Sequence, residues 1–435
     1  MSRHMHLVAY LFSGPTSHHH GMWRHPFSTN KFLEPEFYEH LARTLEEGFF
    51  DALFFADVQG IYDYVNDSYD AILGKGGQIG LLDPIPLISQ MARVTSRIGL
   101  GLTLSTTFVR PYMLARLLGT LDILSKGRMA WNVVTSAGAM ESRNFDIELP
   151  PRDERYDRAD EVVEACMKLW HSWEDDAFII DKDSGEFVDT SKVHRANYEG
   201  KWIKTRGPLT TPRSEQGYPV IMQAGSSERG REFGARWGEL IFTLQHAKED
   251  MIAFYNDFKG RMEKYGRSPR DCAILTSADP IVGETESIAR EKQAFINERI
   301  DPTLAIALVS SHTGIDFTKF PQDRPIEDIR IEEGSRGSFD VILQGSKAKG
   351  LTLADAAKQF ATSELCPQLV GTPESVADQM QDLFESGAVD GFVLTPTELP
   401  GTFETFSRSV VPVLQKRGIF RKSYAGSTLR QHLHD

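Results

Sequence analysis

The chain has 435 residues, of which 40% are hydrophobic and 25% are charged, a balance typical of a globular protein with a large core. At this length it holds either two or three average domains or one large barrel with insertions. Its 61 acidic and 48 basic residues give a formal net charge of −13, which argues against nucleic acid or an anionic membrane as a partner.

Cysteine content and hydropathy indicate the compartment. Cys166, Cys272 and Cys366 are far apart and form no Cys-x-x-Cys pattern, so the sequence predicts neither a disulfide framework nor a thiolate zinc site. The apolar run from Leu7 to Phe12 is too short for a signal peptide, and no stretch approaches transmembrane length. We therefore expect a soluble protein of the reducing cytoplasm.

Short apolar runs, typical of strands buried on both faces, alternate with segments of helical periodicity along the chain. The predicted strands are residues 6–12, 51–56, 98–107, 128–136, 219–224, 240–244, 272–282 and 391–395. The predicted helices are residues 34–48, a helix from 84, 111–124, 153–170, a helix from 228, 251–265, a helix after 283, 373–385 and 403–416. Eight strand–helix alternations predict an α/β protein, and eight in one chain favour a closed (β/α)8 TIM barrel over an open doubly wound sheet.

Two segments interrupt this alternation. Residues 175–213 are polar, punctuated by glycine, and contain short alternating pieces, which predicts a β-hairpin excursion. Residues 301–350 have little periodicity and are rich in Gly, Ser, Asp and Pro, which is typical of a lid or an insertion. The sequence therefore predicts one barrel domain over residues 1–435 with two insertions.

Several common signatures are absent from the sequence. No Gly-x-Gly-x-x-Gly follows a predicted strand and no Gly-x4-Gly-Lys-Ser/Thr occurs, so a Rossmann or P-loop nucleotide site is not indicated. No Gly-x-Ser-x-Gly elbow and no His-Glu-x-x-His occurs, which argues against the commonest hydrolase classes.

Polar residues follow several of the predicted strands. Asn132, Thr135 and Ser136 end the fourth strand, Asp57 follows the second, and residues 103–107 fill the end of the third. Each cluster alone is compatible with an ordinary polar turn. In a barrel, however, the carboxyl ends of the strands meet on one face, where active sites lie. The repeated pattern therefore predicts a ligand site on that face.

Gly225, Ser226 and Ser227 lie between a predicted strand and a predicted helix. Glycine permits close backbone approach, two hydroxyls can donate, and the free N–H groups of a helix start attract a phosphate. Plain N-capping by serine is the alternative interpretation.

The loop after the first strand carries His18, His19 and His20. Such a cluster serves as a metal site, as a proton shuttle or as a solvated loop. No Asp, Glu or Cys accompanies it at ligand spacing, so we expect no metal. The loop follows a strand, which places it on the catalytic face of a barrel.

Several sequence blocks, taken together and in this order, resemble the bacterial luciferase-like flavin-dependent monooxygenases. The closer resemblance is to the branch that contains nitrilotriacetate monooxygenase and dibenzothiophene-sulfone monooxygenase. The blocks are residues 51–57, 131–136, 153–157 with 159–161, 223–230, 311–315 and 411–418.

The resemblance implies a TIM barrel that binds reduced FMN (FMNH2), supplied by a separate NAD(P)H:FMN reductase, and uses O2 to oxidise a small organic substrate. In this branch the substrates are sulfones, aminopolycarboxylates or halogenated aromatic compounds, and a homodimer or homotetramer is expected. The implied flavin-binding residues are Asp57, Thr103, Asn132, Thr135, Arg152, Tyr156, Ser226 and Ser227, with the two serines on the phosphate.

Five polar residues are expected to reach the pocket and to include the catalytic groups: His18, His20, Tyr62, Gln78 and His312. The sequence departs from its relatives at Arg152, where they often have His. It departs also at Ala137 and Ser17, where an alkane-oxidising relative has His, which speaks against alkane hydroxylation. His312 lies near the start of the 301–350 segment, and we expect it to enter the pocket when that segment closes as a lid.

Two alternatives remain at this point. A deazaflavin (F420)-dependent oxidoreductase shares this barrel, and a non-catalytic flavin-binding barrel is a candidate from another class. The long polar insertion and the polar groups around the pocket favour an enzyme. Oxygen uptake with FMN, NADH and a flavin reductase would discriminate between these functions.

Overall fold

The computed structural model describes residues 3–245, 247–329 and 350–434. Eight parallel strands form a closed barrel, and helices surround it. The strands of the described chain are β1 His6–Leu11, β2 Ala52–Phe55, β3 Gly99–Ser105, β4 Met129–Val134, β5 Tyr198–Glu199, β6 Lys204–Thr205, β7 Val220–Gln223, β8 Leu240–Thr243, β9 Ala273–Val282, β10 Gln368–Gly371 and β11 Gly391–Leu394. This architecture confirms the predicted TIM barrel.

The helices surround the sheet in the order expected of β/α units. They are α1 Pro35–Glu47, α2 Asp70–Lys75, α3 Pro84–Val94, α4 Pro111–Leu124, α5 Ala139–Asn144, α6 Arg152–Trp170, α7 Glu228–Trp237, α8 Lys248–Met262, α9 Glu286–Asn297, α10 Pro302–Thr313, α11 Leu353–Ser363, α12 Pro373–Glu385, α13 Gly401–Thr405, α14 Val411–Lys416 and α15 Leu429–Leu433. A π-helical turn, Phe406–Val410, joins α13 to α14. Short 3-10 turns occur at Met22–Arg24, Thr190–Lys192, Glu263–Tyr265, Pro269–Asp271, Phe317–Lys319 and Ile326–Asp328.

Barrel closure follows from the pairing of the strands. The order around the barrel is β1, β2, β3, β4, β7, β8, β9 and β11, and β11 pairs with β1 to complete the circle. The additional strand β10 pairs with the second half of β9, outside the barrel. Because all the barrel pairs are parallel, every strand ends on the same face, and the loops that follow them share that face.

Both faces of the barrel strands are buried, which explains their nearly continuous apolar sequences. Phe54 and Phe242 point into the barrel and stack with their centroids 4.7 Å apart, whereas Leu53 and Leu100 pack under the surrounding helices. The C-terminal helix α15 places Leu429 in the interior cluster, together with residues near the strand starts. This end of the barrel is therefore filled by apolar side chains, and the opposite face is left for a ligand.

The 175–213 segment forms short antiparallel pairings, as its sequence pattern predicts. Strands β5 and β6 pair antiparallel, and isolated bridges join Trp173 to Val193 and Phe178 to Val188.

The prediction of little regular structure over 301–350 is wrong for its first part, where α10 forms. Asp301 Oδ1 accepts from the Thr303 backbone N–H at 2.9 Å, Pro302 is the first helical residue, and Gly314 follows with φ of +70°. These are strong start and stop signals. The helix was missed because most of its residues are buried, and a helix buried on nearly every face lacks an apolar stripe. Residues 330–349 lie outside the described residues. In the described parts of the chain, no helix combines the length and apolarity needed to cross a bilayer.

Candidate active site

The ends of β2, β3 and β4 are joined by a chain of polar contacts on the open face of the barrel. Thr103 Oγ1 donates to the Phe55 carbonyl at 2.8 Å, and Asn132 Nδ2 donates to Thr103 Oγ1 at 2.9 Å. Asn132 is 5% exposed, and its Oδ1 has no hydrogen-bond partner in the described structure. A buried amide oxygen left without a donor is costly. It therefore marks a position where a ligand N–H fits.

The loop after β4 is held against the end of β3. Thr107 Oγ1 donates to the Thr135 carbonyl at 2.7 Å, and Ser136 Oγ donates to Ser105 Oγ at 2.9 Å. Ser136 has a φ of +50°, a left-handed conformation that costs energy for a residue with a side chain. These contacts hold the Thr135 backbone in place. The Thr135 side chain is half-buried.

Asp57 follows β2 and is half-buried. Burial, together with the nearby carboxylates of Asp83 and Glu141, raises its pKa to about 6. Glu141 Oε1 accepts from the Gln59 backbone N–H at 3.1 Å. Several acidic groups therefore share this side of the barrel face, and the Asp57 carboxyl titrates close to neutral pH.

The Gly225–Ser227 turn leads from β7 into α7. Ser227 Oγ accepts from the Gly230 backbone N–H at 3.1 Å, so Ser227 caps the helix, whereas Ser226 is exposed. A Cβ at Gly225 would lie 2.1 Å from Gln223 Nε2 and 2.5 Å from the Tyr156 hydroxyl. A side chain here would displace the Gln223 amide and the Tyr156 hydroxyl, which lies against the turn that opens the helix.

Arg155, one residue before Tyr156 on α6, was not among the predicted site residues. It is half-buried, and its Nε has no partner within the described ranges. Burial lowers its pKa, and the neighbouring Arg152 adds to that effect. Arg152 itself is exposed and lies 3.7 Å from Asp153. A partly buried cation beside a helix N-terminus is an arrangement suited to a phosphate.

A second group of predicted residues converges on Glu364, at the end of α11. Glu364 Oε1 lies 3.0 Å from His20 Nε2 and accepts from Gln78 Nε2 at 3.1 Å, and its other oxygen lies 3.8 Å from His18 Nε2. Burial alone would raise the pKa of Glu364, but the surrounding histidines His18, His312 and His20 outweigh burial and lower it to about 2. The carboxylate is therefore ionised across the ordinary pH range.

Glu364 itself was missed from the sequence. No motif surrounds it, and its partner His20 in the histidine loop is 344 positions away in the chain. The one local signal is conformational: Glu364 and Leu365 have φ of +47° and +72°, which a sequence does not display. Such strain in residues with side chains is found preferentially at functional sites.

Below this cluster, His18 is in contact with two further buried groups. His18 Nδ1 lies 3.3 Å from Cys366 Sγ, and one ligand atom each from His18, Cys366 and Asp279 lie within 4.8 Å of one another. Thr395 donates to Asp279. Burial raises the pKa of both Asp279 and Cys366, which disfavours the deprotonated forms that bind a metal. The expectation of no metal stays a prediction.

A cavity of about 460 Å³, which we call the outer pocket, opens beside these groups. Its walls come from the loop after β2, the region of α5 and the end of α10, and include Val58, Tyr62, Tyr64, Met140, Glu141 and His312. The Tyr62 and His312 rings lie 5.7 Å apart. His312 Nε2 is buried and finds no partner in the described part of the chain. His312 thus reaches the pocket from a buried helix, and the expectation that lid closure must bring it there is wrong.

The predicted site residues therefore fall into three groups. The first lies along the strand ends and contains Asp57, Thr103, Asn132 and Thr135. The second adjoins the start of α7 and contains Tyr156, Ser226 and Ser227. The third surrounds Glu364 and the outer pocket and contains His18, His20, Gln78, Tyr62 and His312. Arg152 stands apart, exposed at the first turn of α6.

Comparisons with known proteins agree with this geometry. The sequence profile of the family described as luciferase-like monooxygenase matches residues 15–390. The chain is 44% identical to a dibenzothiophene-sulfone monooxygenase of Rhodococcus erythropolis strain XP, over 99% of this chain and 96% of the relative. It is 39% identical to nitrilotriacetate monooxygenase component A of Aminobacter aminovorans, over 95% and 93%.

One solved structure is also informative. A crystal structure of a riboflavin lyase with modified FMN and the substrate riboflavin is similar to this chain at a TM-score of 0.89 and 32% identity, covering 99% of this chain and 96% of that one. Because the profile spans most of the chain and the relatives match along nearly their whole length, this protein belongs to the luciferase-like monooxygenase family.

Proposed function

We propose that the protein is the oxygenase component of a two-component flavin monooxygenase. It uses reduced FMN and O2 to place one oxygen atom on a small organic substrate, and the second oxygen atom leaves as water. The observation that carries the proposal is a pair of unsatisfied polar atoms near the carboxyl ends of the strands, Asn132 Oδ1 and Arg155 Nε, neither of which has a partner among the described residues.

FMN fits these groups. Its ring system carries an N–H whose hydrogen bond Asn132 Oδ1 would accept, and its phosphate matches the start of α7, where Ser226 and Ser227 lie at the positive end of the helix dipole. The Arg155 guanidinium on α6, one residue before Tyr156, would add a charge-assisted hydrogen bond. Gly225 keeps the turn open beside the Tyr156 hydroxyl. When bound, reduced FMN supplies the reaction with O2, a chemistry that no side chain provides.

The chain's own residues orient the substrate and move protons. Glu364 holds His20 by one ring nitrogen, and the other nitrogen, Nδ1, is buried without a partner in the described residues. Burial lowers the pKa of His18 and of His312 against the opposing effect of Glu364 and so favours the neutral form of both rings, in which one nitrogen is a proton acceptor. The buried position of the histidine loop excludes water from this side of the site.

A separate reductase is part of the proposal. The sequence has no dinucleotide fingerprint with which this chain could take electrons from NAD(P)H directly. The name of one relative, nitrilotriacetate monooxygenase component A, implies that this relative works with a second component. The choice of FMN over other flavins draws support from the riboflavin lyase structure, which contains modified FMN.

The test combines binding and oxygen consumption. Calorimetry under anaerobic conditions should show that reduced FMN binds and that NADH alone does not. With NADH, FMN and a general flavin reductase present, adding a substrate such as dibenzothiophene sulfone should raise O2 consumption by this protein and lower the yield of hydrogen peroxide per NADH. Reactions without substrate and reactions with the reductase alone are the controls.

Three results would contradict the proposal. Tight binding of NADH in the absence of flavin would remove the two-component scheme. Reduction that proceeds only with F420 would assign the chain to the deazaflavin enzymes. Flavin binding without substrate-linked O2 consumption, across neutral and carboxylated candidates, would indicate a non-catalytic flavin-binding barrel.

A further inference from the structure

The charges around the outer pocket are unevenly distributed. Glu141 lies in its wall, with 8% of the residue exposed. Its carboxylate is close enough to Asp57 to raise the pKa of the Asp57 carboxyl. Glu364 is near enough to Tyr62 and His312 to influence the pKa of each. Among the described residues, Glu141 therefore lines the cavity, and the carboxyl groups of Asp57 and Glu364 lie near its lining residues.

No lysine or arginine lies among the described residues that line the outer pocket. Arg143, on the same short helix as Glu141, is exposed and its guanidinium is already 3.3 Å from Asp63. Within the described lining, His312 is the one residue that can gain a positive charge, and burial lowers its pKa. The partly buried arginine of the site, Arg155, precedes Tyr156 on α6, and the Tyr156 hydroxyl lies against the turn before α7, where the phosphate of FMN is proposed to bind.

The walls of the cavity combine aromatic and apolar side chains with the hydroxyl-bearing residues Ser311 and Thr313. Tyr62 and His312 lie with their rings 5.7 Å apart at an interplanar angle of 41°, and Tyr64, Val58 and Met140 add to the aromatic and apolar part of the surface. Tilted rings and a methionine sulfur pack favourably against an aromatic ligand. Ala137, at the rim, contributes a single methyl group and narrows the cavity little. A volume of about 460 Å³ is within the range of sites that take small organic ligands.

From this arrangement we infer that the substrate is an uncharged aromatic compound and that the outer pocket discriminates against carboxylates. The inference rests on the proposed function and narrows its substrate class. A carboxylate entering the cavity would lose its hydration in the field of Glu141, with no cation in the described lining to compensate. An uncharged ring loses little hydration and gains contact with Tyr62, Tyr64 and His312.

The experiment uses a matched set of probes. These are dibenzothiophene sulfone, the same ring system with one carboxylate, the methyl ester of that carboxylate, and nitrilotriacetate as a carboxylate without a ring. For each compound, the dissociation constant and the coupling of NADH oxidation to product are measured with the wild-type chain. The ester separates the effect of size from the effect of charge.

We expect the sulfone and the ester to bind and couple, and the carboxylate to bind at least about tenfold more weakly than its ester, as expected for one unscreened like charge nearby. Glu141→Gln should reduce that ratio to about threefold or less, because the acid nearest the ligand is removed. The matched control is Glu148→Gln, which makes the same charge change at an exposed position outside the pocket lining. It should leave the ratio unchanged.

The outcomes separate the two proposals. Equal binding of carboxylate and ester, or coupling by nitrilotriacetate but not by the ring compounds, would overturn the inference and leave the monooxygenase proposal in place. An unchanged ratio in Glu141→Gln would also overturn it, since the pocket acid would then play no part. If no probe of either class raised O2 consumption in the presence of reduced FMN, the proposed function itself would fail.

Discussion

His20 Nε2 lies 3.0 Å from Glu364 Oε1, inside the protein, where His20 is 1% exposed. Gln78 donates to the same oxygen at 3.1 Å, so two donors from different loops meet at one carboxylate. This contact joins the loop after β1 to the end of α11. It fixes the orientation of the His20 ring and directs its other nitrogen away from the carboxylate. Removing a buried ionised group of this kind is costly because its hydrogen-bond partners stay buried without a partner of their own.

Glu364→Gln tests the importance of that charge. The amide can still accept from His20, so we expect a loss of about 1–3 kcal/mol in the free energy of unfolding at pH 7, together with poorer coupling of NADH oxidation to product. Because the pKa of Glu364 is lowered to about 2 from 4.5, its stabilising effect is complete above pH 4.5 and is lost as the pH falls towards 2. Urea unfolding from pH 7 to pH 3 should therefore show the difference between wild type and variant shrinking with acid.

The control for Glu364→Gln is Glu249→Gln, at an exposed position of α8. It should change neither stability nor coupling by a measurable amount. A Glu364→Gln protein as stable as the wild type at pH 7 and fully coupled would show that the carboxylate charge is unimportant.

Ser226→Ala with Ser227→Ala tests the phosphate site. Loss of hydrogen bonds to a charged phosphate should weaken FMN binding by about 1–3 kcal/mol. Riboflavin lacks the phosphate, and its affinity should be nearly the same for the double variant and the parent. Calorimetry with both ligands makes the comparison.

Ser227 also caps α7 through the Gly230 N–H, so its loss should cost about 1 kcal/mol of stability. Thr285→Ala removes an equivalent cap from α9, where Thr285 Oγ1 accepts from Ile288 N–H at 3.2 Å. This control should show a similar loss of stability with unchanged FMN affinity. An equal loss of riboflavin affinity in the serine variant would mean that the serines serve only as caps.

Asp57→Asn should stabilise the protein. Burial first, and then Asp83 and Glu141, raise the pKa of Asp57 to about 6 from 3.8, so the fold opposes its charged form. That cost is absent below pH 3.8, develops as the pH rises to 6, and is complete above pH 6. The variant should therefore be more stable than the wild type by about 1–3 kcal/mol at pH 7 and equal to it at pH 4. Thermal or urea unfolding at the two pH values makes the measurement.

Weaker binding of reduced FMN should accompany the gain in stability if Asp57 contacts the flavin, because functional groups are often retained at the expense of stability. A variant that is less stable than the wild type at pH 7 would show that the Asp57 carboxylate makes a favourable contact that its pKa does not reveal.

The barrel was predictable from the sequence because each strand is a short apolar run bounded by turn signals. Such runs are typical of parallel strands that are buried on both faces. The strand-end residues Asp57, Thr103 and Asn132 were predictable for the same reason, since parallel strands place their ends together. Glu364 was not, because its role depends on a contact between distant segments. Arg155 stood beside the predicted Arg152 and Tyr156, and only the fold shows that Arg155 is partly buried whereas Arg152 is exposed.

Leu308→Ala tests whether α10, at the start of the 301–350 segment, is part of the protein core or a mobile lid. Leu308 lies in α10 with no exposed surface and belongs to an apolar cluster with Val309, Phe317 and Phe360. Deleting its side chain in such surroundings should lower the free energy of unfolding by about 2–5 kcal/mol. The loss would also loosen the helix that holds His312 against Tyr62, so coupling to product should fall as well.

Thr303→Ala, at an exposed position of the same helix, is the matched control and should change stability by less than about 0.5 kcal/mol. The lid hypothesis makes the opposite prediction for Leu308→Ala, because a lid residue can be truncated without affecting the stability of the barrel. Urea unfolding of the two variants beside the wild type distinguishes these cases. If Leu308→Ala were as stable as the wild type, α10 would have to be regarded as a mobile cover. If it is destabilised as expected, α10 is part of the core that positions His312.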